Sequence, residues 1–158
     1  MKNIYGSSGK VTLKMIAMVA PKVQQYSPKN DYAAFTLFAL CKGLNSGKPL
    51  DKPCANCFAI LCRNAEEKEF YKSLLFGLWF SKAFHQILVG SVIEFIRIND
   101  FKQFVFDAAK RLEGNKEAFA KDVSKAANYE KLQLQYLQTA ALLADLRKAI
   151  IYRHLRSR

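Results

Sequence analysis

The sequence predicts one α+β domain that is mainly helical, with about five helices packed against a small sheet of two or three short strands. Its 158 residues match the length of one domain. Hydrophobic residues make up 51% and aromatic residues 13%, which is too apolar for a disordered chain. No repeat or change in composition divides it, so we expect a flexible segment at residues 1–10 and a single globular domain at residues 11–158.

The N-terminal third is expected to contain one helix and at least one strand. Val11–Val19 is rich in β-branched and apolar residues and predicts either a strand or a short helix. Ser27-Pro28 is typical of a helix start, so a helix is predicted through Phe35–Leu40 that ends at Gly43. Cys57–Cys62 is short, apolar and bounded by turn residues, which predicts a buried strand.

The middle of the chain predicts a core helix followed by a strand. Asn64 and Glu67 form a capping-box-like start for a helix that continues to about Phe84. Val92–Ile98 is apolar on both alternating faces, as in a largely buried strand. Glu94 interrupts this run, and we expect its carboxylate either to face solvent or to pair with a nearby cation, Arg97 or Lys82.

Three more helices are predicted after this strand. Asn99-Asp100 is expected to cap a helix through Leu112, and Asn115 to begin a short helix that ends near Ala126. A last helix is predicted over Tyr129–His154. Its apolar residues fall on helical spacing: Tyr129, Leu132, Tyr136, Leu143, Leu146 and Ile150.

The net charge of +12 is unevenly distributed along the chain. Residues 1–64 hold nine Lys/Arg against two Asp, residues 65–114 hold seven of each sign, and residues 115–158 hold nine against four. Two basic regions around a neutral middle indicate contact with an anion, and nucleic acid is the commonest such partner. The residues expected to contact phosphates are Lys42, Lys48, Lys52, Arg147, Lys148, Arg153 and Arg156. An acidic protein, or simple solubilisation of an apolar domain, would account for the same charge.

A polar, basic loop at residues 42–57 lies between two apolar segments and is longer than most connections in a compact domain. Its Gly43–Lys48 stretch is not a nucleotide-binding P-loop, because three residues rather than four separate the glycines and Pro49 follows the lysine. Backbone N–H groups of this loop, together with its lysines, remain candidates for holding a phosphate.

Four cysteines within 22 residues raise the alternative of a zinc site. Buried thiols are the preferred explanation of the pattern, since free cysteine is among the most buried residue types. Redox chemistry is disfavoured because the Cys-x-x-Cys motif precedes a strand rather than opening a helix. We therefore expect no cofactor, with zinc kept as the alternative. Its ligands would be Cys41, Cys54, Cys57 and Cys62.

No catalytic residue is predicted, because no Ser-His-Asp order, metalloprotease motif or paired-carboxylate signature is present. We therefore expect a protein that is not an enzyme. No apolar run reaches the length of about 18 residues that a membrane span needs. Met15–Ala20 is too short for a signal peptide and is followed by Pro21, so a cytoplasmic location is expected, without a membrane partner.

Three segments together, AEEKEFY, FTLFALCKGLNSGKPLDKPCANCF and LWFSKAFHQILVGSVIEFIRI, resemble an uncharacterised family of small proteins. That family is associated with gut Bacteroidetes and their mobile elements or phages, and the resemblance covers roughly residues 30–155. It implies a signature loop that includes Gly43, Asn45, Gly47 and Pro49. It also implies a second signature, GSVIEFIRI, in which Glu94 stands where proline is expected. No activity follows from it.

The leading hypothesis is a non-enzymatic accessory protein of a mobile element or phage that binds nucleic acid, DNA or RNA, mainly through phosphate contacts. The alternative is a protein–protein interaction module, such as a virion component or an inhibitor of a host defence complex. A small zinc-stabilised domain is the third hypothesis. The sequence leaves open the oligomeric state, and whether the loop and the end of the last helix share one face.

Overall fold

The computed structural model describes residues 20–156 as an α+β fold. A four-stranded antiparallel sheet has the strand order β1-β4-β2-β3, and a separate hairpin pairs β5 with β6. Helices follow the sheet in the sequence and cover one of its faces. The predictions for residues 1–10 and for Val11–Val19 lie outside the described residues. The elements are β1 (Lys22–Gln25), β2 (Thr36–Leu40), β3 (Pro49–Leu50), β4 (Cys57–Leu61), α1 (Ala65–Phe80), a 3₁₀ helix (Ala83–Ile87), β5 (Leu88–Val89), β6 (Phe95–Ile96), α2 (Ile98–Arg111) and α3 (Lys116–Leu155).

The sheet is buried on both faces, which explains why its central strands lack polar alternation. One face contributes residues such as Leu37, Phe58 and Ile60 to the main core, where they pack with α1 and α2. The other face carries Phe38 and packs against two half-buried tyrosines in the segment between β1 and β2. Residues 57–62 were predicted to form a buried strand, and β4 confirms that prediction.

The helix predicted from Ser27-Pro28 to Gly43 is wrong, because this region contains strand β2. Asn30 N–H donates to Ser27 O at 3.1 Å, so Ser27 begins a turn instead of a helix. β2 then pairs antiparallel with β4, with Leu37 opposite Ile60. Pairing with a strand about twenty residues away outweighs local helix-start signals. The chain after Gly43 returns as β3, so residues 42–57 are not all loop.

Helix α1 begins as predicted and is held by a reciprocal cap. Asn64 Oδ1 accepts from Glu67 N–H at 2.8 Å, and Glu67 Oε2 accepts from Arg63 N–H at 2.6 Å. Each bond satisfies a backbone donor at the helix entrance. The helix ends at Phe80 instead of Phe84. Lys82, at φ 58°, separates it from the 3₁₀ helix that carries the last residues of the predicted span.

The described residues form three α-helices and one 3₁₀ helix, not the five helices predicted. The two helices expected at Asn115–Ala126 and Tyr129–His154 are one continuous helix of 40 residues, α3. No glycine or proline lies between them, and Ala126-Ala127 favours continuation. Helix α2 begins at Ile98 without a side-chain cap, so the capping role predicted for Asn99-Asp100 is also wrong.

The strand predicted at Val92–Ile98 is much shorter than expected. Only Phe95-Ile96 forms strand β6, and it pairs with Leu88-Val89. Val92 is 93% exposed, because it lies in the turn of this hairpin and outside the core. Apolar and β-branched residues favour a strand locally. A strand forms here only at Phe95-Ile96, because strand formation also depends on packing against neighbouring elements, which Val92 lacks.

Candidate nucleic-acid interface

The loop between β2 and β3 is a closed turn in which four backbone N–H groups are already occupied. Gly43 N–H donates to Glu94 O at 2.7 Å, and Gly47 N–H donates to Leu40 O at the same distance. Ser46 N–H and Lys48 N–H likewise donate to oxygens within the turn. A phosphate cradle needs free N–H groups that point at the ligand. These four N–H groups fasten the loop to the fold and are not free to hold a phosphate, so the lysine side chains are the stronger candidates for a phosphate contact there.

The residues predicted to form a signature in this loop have structural roles. Gly43 and Gly47 adopt positive φ, at 86° and 89°, and Gly47 also packs against the ring of Phe84. Asn45 O accepts from Lys48 N–H at 3.0 Å, and Pro49 begins β3 opposite Ala39 on β2. The loop shape thus depends on turn geometry and on packing against the 3₁₀ helix.

The three lysines predicted here are exposed, but they differ in their surroundings. The Lys48 ammonium lies 4.6 Å from the centre of the Trp79 ring, which is a cation–π contact. Lys42 is in a β-bridge with Phe95, and its neighbour along the chain, Gly43, is fixed by the bond to Glu94. Among the described residues, Lys42 and Lys52 make no ion pair. Two of the three ammonium groups are therefore available to an anion.

The second candidate surface is the part of α3 beyond the domain, residues 131–156, which we name the α3 arm. Every residue of the arm is exposed, whereas the preceding part of α3 packs on α1 through Phe119 and Val123. The arm carries five Lys/Arg against one Asp. Lys148 forms an ion pair with Asp145 at 3.5 Å. Three other residues of the arm that are predicted to contact phosphates form no ion pair within the described residues. These are Arg147, Arg153 and Arg156.

The structure separates the loop from the basic end of the arm by distance. The last partly buried residue of α3 is Glu130. At a rise of 1.5 Å per residue, Arg156 lies roughly 40 Å further along the helix axis. The loop belongs to the domain itself, where Lys48 contacts Trp79 on α1. The seven predicted phosphate-contacting residues thus form two separate basic surfaces.

The predicted cysteine ligands are also divided. Cys57 Sγ donates to Cys54 O at 2.9 Å, so these two cysteines are in contact. Cys62 follows the opposite end of β4, about five residues of strand away. Burial raises the pKa of the Cys57 and Cys62 thiols to about 11. Among residues 20–156, no group of three His, Cys, Asp or Glu side chains is placed to hold a metal ion.

Glu94 has neither of the ion-pair partners predicted for it. Its Oε2 is buried without a hydrogen-bond partner among the described residues, and no ion pair joins it to Arg97 or Lys82. Its backbone O accepts the bond from Gly43 that ties the hairpin to the loop. The interaction that the structure shows for Glu94 is therefore a backbone hydrogen bond and not an ion pair.

Sequence reasoning missed the exposure of the apolar residues on α3. Helical spacing was noted, but a helix packed in a core and a helix projecting into solvent have the same spacing. The amino-acid composition of α3 could have indicated this exposure, because its apolar residues lie on more than one face of the helix and a single core contact would bury only one face. Exposed members include Tyr136, Leu143 and Ile150.

Comparison with known proteins gives a family without an assigned activity. In the described part of the chain, no helix is both long and apolar enough to cross a membrane. No curated protein and no solved structure matches the chain. The model of a family described as "Family of unknown function (DUF6943)" matches residues 23–153. This match covers the sheet, all the helices and most of the α3 arm, and the chain therefore belongs to that family of unknown function.

Proposed function

We propose that the protein is a non-enzymatic accessory protein of a mobile element or phage that binds nucleic acid in the cytoplasm, mainly through phosphates. The observation that carries this proposal is the α3 arm: every residue is exposed, and it holds five cations against one anion. Duplex DNA has about one negative charge per 1.7 Å of its axis. Exposed arginines on a rigid helix are well suited to such a lattice because guanidinium groups bind phosphate through two parallel hydrogen bonds.

Three arginines form the centre of the proposed interface. Arg147, Arg153 and Arg156 lie within roughly 14 Å along the helix axis. Arg153 and Arg156 share one side of the helix and Arg147 lies on the side opposite to Arg156, so a helix lying in a groove between two phosphate strands could use all three. Lys148 lies among them but is paired with Asp145 at an exposed site, where such a pair contributes little and is easily exchanged. Lys42, Lys48 and Lys52 form a second, smaller surface on the domain. Contacts of this kind are to phosphates and carry little sequence specificity.

The test compares two triple variants with the same change in net charge. Arg147→Gln/Arg153→Gln/Arg156→Gln removes the three arm arginines, whereas Lys110→Gln/Arg111→Gln/Lys121→Gln removes three exposed cations elsewhere. Binding of labelled single- and double-stranded DNA and RNA is measured by fluorescence anisotropy at about 50 mM salt. We expect the arm variant to bind about 10- to 100-fold more weakly and the control to stay within about threefold. Equal losses would assign binding to net charge alone and would contradict the arm as the site.

The loop is tested separately, because it lies on another surface. Lys42→Gln/Lys52→Gln leaves Lys48 and its contact with Trp79 intact. We expect a loss of affinity smaller than that of the arm variant, since fewer cations are removed. A larger loss would move the main interface to the domain.

A protein–protein interaction module, such as a virion component or an inhibitor of a host defence complex, is the second candidate. It is favoured by the exposed apolar side chains on the same helix, among them Leu143 at 56% and Tyr136 at 68% exposure. Apolar surface of this extent on one element indicates an interface. An apolar interface responds weakly to salt, whereas phosphate binding is lost steeply, so a salt titration separates the two candidates.

A further inference from the structure

The exposed apolar surface of this protein is concentrated on one helix. Of eighteen large hydrophobic residues that are exposed within residues 20–156, twelve belong to α3. At roughly 50–100 Å² of apolar surface each, they present about 600–1,200 Å². The largest apolar patch on a typical monomer is about 300–600 Å², and a stable interface buries about 800 Å² per partner. The twelve residues lie on more than one face of α3, and the six that share one face present about 300–600 Å². That is the size of the largest apolar patch on a typical monomer, and the stems of flanking side chains along the helix would supply the rest of an interface.

A projecting helix of this length also needs support from packing. Isolated helices are marginal in water, and most helical stability in proteins comes from burial of an apolar face. Residues 131–155 have no buried member, and within residues 20–156 they bury no apolar face. A partner along the arm would supply the missing contacts.

The spacing of these residues specifies a helical partner. Seven positions alternate at intervals of three and four residues, which is the a/d pattern of a coiled coil. We name this set the apolar seam; four of its members are aliphatic, two are tyrosine and one is threonine. The seam consists of Tyr129, Leu132, Tyr136, Thr139, Leu143, Leu146 and Ile150.

The seam faces away from the domain. At 100° per residue, its members cluster on the side of α3 opposite to Phe119 and Val123, which pack near Gly77 on α1. A partner on the seam would therefore leave the packing of α3 on α1 undisturbed. The seam and the docked face are independent surfaces of one helix.

We propose that the apolar seam binds the same seam of a second copy of this chain, with the two helices antiparallel. A parallel pair would place Arg147, Arg153 and Arg156 of both copies side by side, where like charges repel. The antiparallel arrangement separates the two basic ends by the length of the seam. It also places the two domains at opposite ends of the helix pair.

One antiparallel register uses the complete seam. In that register Leu132 packs on Ile150 of the second copy, Tyr136 on Leu146, and Thr139 on Leu143. Each contact occurs twice because the arrangement is two-fold symmetric. Arg153, three residues after Ile150, occupies the next position in the same spacing. In this register it lies at the end of the interface, over the aromatic ring of Tyr129 of the second copy. This register explains why the apolar spacing ends at Ile150.

The proposal does not depend on nucleic-acid binding, because the association is carried by the apolar seam; of the proposed phosphate-contacting residues only Arg153 lies at the edge of this interface. Lys148 and Arg156 lie outside the seam and stay accessible in the antiparallel pair. Loss of nucleic-acid binding with retained association would refute only the proposed function. Retained nucleic-acid binding by a monomer would refute only the association.

The experiment uses the full chain, treated with nuclease and examined by size-exclusion chromatography with light scattering at about 300 mM salt, where surface charges are screened. Two matched double variants are compared. Leu143→Glu/Leu146→Glu places two charges in the seam. Leu134→Glu/Leu137→Glu makes the same change, at the same spacing and similar exposure, on the opposite face. Circular dichroism confirms that each variant is folded.

We expect twice the mass of one chain for the wild type and for the Leu134/Leu137 variant. The Leu143/Leu146 variant should have the mass of one chain, with association weakened at least about 100-fold because two charges would be buried. A wild type with the mass of one chain would overturn the proposal. Dissociation of the Leu134/Leu137 variant alone would also overturn it, because the interface would then lie on the other face.

Discussion

Gly47 lies directly beneath the aromatic ring of Phe84. A Cβ atom built on Gly47 would overlap the ring of Phe84, and the backbone φ of Gly47 is 89°. Phe84 is almost fully buried and stacks on Phe101 with ring centres 5.7 Å apart. The β2–β3 loop therefore packs on the core through Gly47, which gives a structural reason for glycine at this position.

Replacing Gly47 with alanine should destabilise the protein strongly. We expect the free energy of unfolding to fall by about 2–4 kcal/mol, because the new methyl group meets the Phe84 ring and the backbone is left-handed. Urea unfolding followed by circular dichroism measures this change. Gly43→Ala is the matched control: its φ is 86°, but a Cβ there meets nothing within 4 Å. It should cost about 1–2 kcal/mol from backbone strain alone. Equal costs for the two variants would contradict the packing argument.

The cap of α1 should make stability depend on pH. Burial acts to raise the pKa of the Glu67 carboxyl, but the hydrogen bonds and charge of Arg63 outweigh it and hold the pKa below its ordinary range. Because the folded pKa is the lower one, the stabilisation is present at neutral pH and is lost as the pH falls through the folded pKa. Glu67→Gln should therefore reduce stability by about 0.5–2 kcal/mol at pH 7, and less at low pH.

Urea unfolding of wild type and Glu67→Gln between pH 7 and strongly acidic solution measures this difference. Glu66→Gln is the control, since Glu66 lies in the same turn but makes no such cap. A difference between Glu67→Gln and wild type that stays constant down to low pH would show that the carboxylate is not responsible.

The thiols of Cys57 and Cys62 should be unreactive in the folded protein. Burial raises the pKa of each thiol to about 11, so little thiolate, the reactive form, is present near pH 8. We expect alkylation by iodoacetamide at least about 100-fold slower than in urea, as measured by mass spectrometry of the labelled peptides. Similar rates in the folded and unfolded protein would refute the burial of these side chains.

The antiparallel register predicts a specific disulfide between copies. Equal amounts of a Leu132→Cys variant and an Ile150→Cys variant should form a mixed dimer under mild oxidation, because these positions face each other. Neither variant alone should crosslink efficiently, and wild type controls for the native cysteines. Efficient crosslinking of Ile150→Cys with itself would indicate a parallel pair instead.

The parts of the fold that could be predicted from the sequence are those fixed by local contacts. The Asn64 cap is one example, because its donor and acceptor lie three residues apart. The strand Cys57–Leu61 is another, since a short apolar run between turns has few alternatives. Thr36–Leu40 was misassigned because nearby helix signals matched by chance, while its true partner, β4, is distant in the chain.

The candidate site could be predicted only in part. The cations of the 42–52 loop and of the C-terminal helix were identified from charge, but their separation depends on how far α3 projects beyond α1. That projection also determines whether the apolar spacing of α3 serves a core or an interface. Whether Tyr136 and Leu143 are buried or exposed depends on the folded structure and cannot be read from the local sequence pattern; in the structure both are exposed.

The central claim, nucleic-acid binding through phosphates, is tested most directly by the salt dependence of wild-type affinity. Anisotropy titrations of labelled DNA and RNA are made between about 50 and 200 mM salt. The account predicts micromolar or tighter binding at the lowest salt. It also predicts a linear fall of the logarithm of affinity with the logarithm of salt, with a slope near −3 or steeper as about three or more phosphate contacts are lost. Absence of binding at 50 mM salt, or an affinity that does not change with salt, would contradict it.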